Sequence, residues 1–136
     1  MTAEEYVKDQ CTAFHKTCED MAYKVGFGYE LASIAKLDKV RKALWPNEIP
    51  AELGNAISIM WASFFTLILE NSYISKWTVD HQSKTPSLIL KCGNRGLQVK
   101  SVLIAAQAFN QGRDYVDFWA ELKETLDESG AELKSS

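Results

Sequence analysis

Between Leu53 and Leu69 the chain runs 17 residues without a charged side chain, and from Ile57 to Leu69 only Ser58, Ser63 and Thr66 break the apolar run. A helix apolar nearly all round must be wrapped by other elements, covered by a second copy, or immersed in lipid. A bilayer span takes about 20 predominantly apolar residues, usually with Lys or Arg nearby, whereas Glu52 and Glu70 flank this run. It therefore reads as the central helix of a domain with no membrane role. Tyr73, Ile74 and Trp77 extend its apolar pattern.

The surrounding segments supply helices to wrap it. Thr2 followed by Glu5 is a capping-box pattern. Val7, Cys11, Phe14, Cys18, Met21 and Val25 then recur at intervals of three and four, as the seam of a packed helix does. Leu31, Ile34, Leu37, Val40 and Leu44 mark a second helix, with Lys36, Lys39, Arg41 and Lys42 where cations suit a C-terminal dipole. Pro46 and Pro50 enforce a loop.

Residues 87–101 admit two readings. Ser87–Cys92 and Leu97–Ser101 around Gly93-Asn94-Arg95-Gly96 suit a β-hairpin with a four-residue turn. Thr85 as cap, Pro86 at the first helical position, and helical spacing through Cys92, Gly96, Val99, Leu103, Ala106 and Phe109 suit a helix kinked at the glycines. The helical reading is favoured. A last helix, capped by Asp114, carries Tyr115, Phe118, Trp119, Leu122 and Leu126 on one face and stops at Ser129-Gly130. The expected fold is all-α: a single domain over 1–130, a bundle of about five helices around the central apolar one, with 131–136 a polar, frayed tail.

Charge is sorted into blocks. The chain has 15 basic and 18 acidic side chains, a balance that argues against coating duplex DNA. Yet His81 to Arg113 contains Lys84, Lys91, Arg95, Lys100 and Arg113 without one Asp or Glu, and seven carboxylates follow from Asp114 onward. Such blocks create local fields that bear on partners. Met1–Glu5 has neither a basic start nor an apolar stretch of the secretory kind, and three cysteines suit free thiols, so a cytoplasmic setting is expected.

Cys11, His15 and Cys18 share one helix face, but seven residues of helix separate the cysteines by roughly 10 Å. Two thiolates on one zinc stand at most about 4.6 Å apart, and no metal site is expected. Cys92 with His81 is the one nucleophile–base pairing outside that helix worth naming, and no oxyanion-hole motif accompanies it. No catalytic residues and no cofactor are assigned. The candidate ligand site is Lys91, Gly93, Asn94, Arg95, Gly96 and Lys100, where glycines let backbone N–H groups converge on an anion amid three cations. The leading expectation is a non-enzymatic binding or adaptor protein, a homo-oligomer, engaging a nucleotide, RNA or an acidic protein surface. The alternatives are a small cytosolic enzyme using Cys92 and His81, and a purely structural oligomer subunit.

Overall fold

The helix start marked by Thr2 and Glu5 forms as a reciprocal cap: Glu5 N–H donates to Thr2 Oγ1 at 3.1 Å and Thr2 N–H to Glu5 Oε1 at 3.3 Å. The computed structural model, which describes residues 1–135, then runs α1 (Ala3–Asp20), α2 (Ser33–Leu44), α3 (Gly54–Ser72), β1 (Ser75–Val79), β2 (Pro86–Cys92), β3 (Arg95–Val99), α4 (Ser101–Asn110) and α5 (Tyr115–Ser129). The seam of α1 is Val7, Cys11, Phe14 and Cys18; the helix stops before Met21, which is exposed.

α3 is the central element, packed chiefly on α4 and α1, with every residue from Trp61 to Leu69 buried. Its interior polar groups mostly find partners. Trp61 Nε1 donates to Leu37 O at 3.0 Å, and Thr66 Oγ1 donates to Ala62 O and meets Ser101 Oγ, both at 2.9 Å. Among the described residues no helix is long and apolar enough to cross a membrane.

The all-α expectation is corrected by the three strands, which form one antiparallel sheet in the order β1-β2-β3 and make the fold α+β. The central helix ends at Ser72; of its expected extension, Trp77 lies in β1 while Tyr73 and Ile74 form the extended link before it. Pro86 opens a strand, and helix resumes only at Ser101, so the kinked helix expected from Pro86 to Phe109 is a hairpin followed by α4. That hairpin has a two-residue loop, Gly93-Asn94, because Cys92 pairs with Arg95. Gly93 has φ +64° and Asn94 lies outside the positive region, the pattern of a type II′ turn, whose first position favours glycine.

Register sorts the two sheet faces, since directly opposed residues in an antiparallel ladder point the same way. Leu88 and Leu90, both fully buried, share the inner face with Trp77, Leu97 and Val99. Lys76, Ile89 and Gln98 align on the outer face, as do Lys91 and Gly96.

Both ends of α5 are tied to segments distant in sequence. Asp114 stands at the cap position without capping: its carboxylate meets Lys42 Nζ at 3.2 Å. The cap is Asp38 of α2, which accepts from Tyr115 N–H at 2.7 Å and Val116 N–H at 3.0 Å. Beyond α5, Ile74 N–H donates to Glu132 O, Glu132 N–H to Lys91 O and Lys134 N–H to Ser72 O, each at 2.9 Å. Residues 131–134 of the expected frayed tail are thus laid against the start of β1 and the end of β2, while Ser136 lies outside the described residues.

Candidate functional site

The turn between β2 and β3 already holds a carboxylate. Gly93 N–H donates to Glu132 Oε2 at 2.9 Å, and Lys91 Nζ stands 3.7 Å from Glu132 Oε1. A carboxylate bonded to a backbone amide beside a cation is the arrangement the glycine-rich turn suggests, but here the anion is the chain's own.

Next to this seat the outer sheet face carries an open depression of about 340 Å³. Ile74 and Ile89 supply its apolar surface, 38 % and 36 % exposed, and Lys76, Lys91, Asn94 and Arg95 stand around it. Gly96 belongs to its floor by necessity: a Cβ there would stand 2.6 Å from Ile89 Cγ2, so only glycine lets Ile89 lie across β3 undisturbed. Lys76 and Arg95 make no ion pair among the described residues. Two cations on an apolar floor are therefore open to a ligand, and a third is weakly engaged.

Five of the six sequence-predicted ligand residues, Lys91, Gly93, Asn94, Arg95 and Gly96, line this depression. Lys100 does not. It follows β3 at the end away from the turn, where its Nζ lies 3.4 Å from Asp80 Oδ1. Asp80 is itself committed, accepting from Ser83 N–H at 2.8 Å and Ser83 Oγ at 2.7 Å. Those hydrogen bonds, with help from Lys100, hold its carboxyl at about 2. Asp80 and Lys100 thus brace the loop before β2.

Sequence reasoning missed Ile74, Lys76 and Ile89, because they become neighbours only when β1 pairs with β2. The alternation of Ser75-Lys76-Trp77-Thr78-Val79 was the available signal. Glu132, 39 residues after Gly93, has no local signature.

The other candidate chemistry is dispersed. His81 lies in the loop before β2, whereas Cys92 is the last of that strand's seven residues, roughly 20 Å of extended chain from its start. Burial pushes the Cys11 thiol up to about 12 and the Cys18 thiol to about 11, so neither supplies a thiolate near neutrality. Among the described residues no group of three or more His, Cys, Asp or Glu side chains could hold a metal ion. Family models, curated proteins and solved structures were all compared with this chain, and none matches it.

Proposed function

We propose that this chain is a non-enzymatic binding module of the cytoplasm whose outer sheet face takes an acidic protein segment that also carries apolar side chains. The observation supporting it most directly is the carboxylate of Glu132 on Gly93 N–H beside Lys91, because it displays the chemistry the turn accepts. Lys76 and Arg95 offer the charge for further carboxylates, and Ile74 and Ile89 the surface for apolar side chains between them. Nucleic acid fits less well. Single-stranded binders stack bases on aromatic rings, and no aromatic residue lines this depression.

The test is fluorescence anisotropy with a labelled peptide alternating Glu and Leu, against a Lys/Leu peptide and an RNA oligonucleotide. The reading expects saturable binding of the acidic peptide alone, weakened by salt because exposed charges are screened beyond about 8 Å at physiological ionic strength. Preference for RNA, or equal binding of both peptides, overturns it. Sedimentation of the chain alone separates the remaining occupant, a second copy presenting the acidic side of α5: self-association abolished by Arg95→Glu would replace the foreign partner with that copy.

A further inference from the structure

A second cavity, away from the sheet, lies where α2, the loop after it and the end of α4 meet. It measures about 320 Å³ and is lined by Arg41, Trp45, Asn47, Glu48, Phe109 and Asn110 among others. That volume falls at the lower end of the usual range for small-molecule sites. The cations Lys36, Lys39, Arg41 and Lys42 look alike in sequence, but the fold separates them. Lys42 pairs with Asp114, Lys36 sits 5.8 Å from the Phe27 ring centroid, and Lys39 is exposed. Arg41 turns inward, its guanidinium carbon 3.8 Å from the centroid of Phe109.

Stacking satisfies one face of a guanidinium and leaves its rim of N–H donors to be bonded in plane. Among the described residues no side-chain hydrogen bond or ion pair engages Arg41. The two nearby carboxylates are committed elsewhere, Asp38 to the α5 amides and Asp114 to Lys42. Burial lowers the affinity of Arg41 for its proton, while Tyr115, Asp38 and Asp114 act in the opposite sense at longer range. A half-buried, permanently charged fork without a bonded partner, opening on a cavity with polar walls, is a binding group in search of a planar anion.

We propose that this cavity is a binding site for a small aryl monocarboxylate, its carboxylate bridging the Arg41 fork and its ring lying along Trp45. One guanidinium matches one carboxylate in charge and geometry. Glu48 on the cavity wall opposes a dianion, which disfavours phosphate. Asn47 and Asn110 provide donors and acceptors for ring substituents. The site uses none of the residues of the sheet face, and the two assignments stand or fall separately.

Benzoate is the probe, with benzamide as its neutral counterpart and the Trp45 indole N–H in ¹⁵N-labelled protein as the reporter. We expect a saturable shift of that signal with benzoate and none with benzamide at equal concentration. Arg41→Met, which keeps a long apolar stem over Phe109, should weaken benzoate binding at least about tenfold, the scale of losing a charge-assisted pair. Arg41→Lys, which retains charge without the planar fork, should fall between, and it carries the test if the Met variant fails to fold. Lys39→Ala and Arg95→Glu should leave the titration unchanged. Unsaturable shifts, equal response to benzamide, or equal loss in Lys39→Ala and Arg41→Met would each overturn the assignment.

Discussion

Asp38 rests its carboxylate on two amides at the start of α5, and Glu132, just beyond the end of that helix, rests its own on the Gly93 amide of the β2–β3 turn; they differ in what sets the strength of such a tie. Asp38 is 9 % exposed and accepts two N–H bonds at 2.7 and 3.0 Å. Burial raises its carboxyl, against the pull of the hydrogen bonds from Tyr115 and Val116. Glu132 has a side chain 39 % exposed, accepts one N–H bond at 2.9 Å and stands 3.7 Å from Lys91. Water can take the place of Glu132 at little cost, but not that of Asp38, where loss would strand two donors at a helix start. The first carboxylate is architecture; the second can be exchanged for another. The proposed binding face lies at the exchangeable end.

The strongest way to break this contrast is Asp38→Ala. It should destabilise the fold by about 1–3 kcal/mol, the cost of leaving a buried donor unsatisfied, and lower the melting temperature by several degrees. Calorimetry on the variant checks this, and an unchanged transition would remove Asp38 as the anchor of α5.

Asp80 sharpens the comparison through pH. Its carboxyl is held at about 2 against an ordinary 3.8, so its contribution to stability is present above the unfolded value and lost as pH falls from 3.8 through 2. Asp38 has the opposite sign: its raised carboxyl favours the folded state below 3.8, and that advantage disappears as pH rises through its folded value. Asp80→Asn should therefore melt below the parent at neutral pH and converge toward it in acid. A constant gap between the two from about pH 6 to 2 would show that the Ser83 and Lys100 contacts do not act through ionisation.

Local signals and long-range pairing explain what the sequence disclosed. The cap at Thr2 and Glu5 involves neighbours, and the uncharged run of α3 needs only its own composition, so both are legible. β1 is hidden because Tyr73, Ile74 and Trp77 have spacing that also continues a helix. The hairpin was masked by Cys92, Gly96, Val99 and Leu103, which keep helical intervals while the backbone is extended to Val99 and helical only from Ser101. Gly93-Asn94 was the sound local cue. Five of six candidate site residues share one depression because they lie along one hairpin, whereas Lys100 is drawn to Asp80 across the loop before β2. Asp38 reaches an amide 77 residues away, and Arg41 is half-buried against Phe109 while Lys36, Lys39 and Lys42 stay exposed. No periodicity encodes either contact.

Binding should respond next. Arg95→Glu places a carboxylate beside the depression and should weaken the Glu/Leu peptide about tenfold or more, through lost attraction and new repulsion. Lys123→Glu, on the acidic helix α5, is the matched reversal and should change affinity little. Both variants must first retain the parent's helicity and melting temperature. Equal affinity of the parent and Arg95→Glu would separate the charge block from any partner.

The smallest effect, and the most discriminating, belongs to Glu132→Gln. The substitution keeps the side chain's length and an oxygen able to accept from Gly93 N–H, and removes the charge facing Lys91. Since the pair is solvent-exposed, stability should change by less than about 1 kcal/mol. If Glu132 occupies the seat that a partner's carboxylate would take, the binding-competent fraction rises once its charge is gone, and apparent affinity rises with it. A gain of up to about fivefold for the Glu/Leu peptide is the matching scale. A variant that melts as low as Asp38→Ala would make Glu132 architecture as well. One that binds the peptide less tightly than the parent would mean that Glu132 shapes the face rather than competing for it, and the distinction between a fixed and an exchangeable carboxylate would fail at this turn.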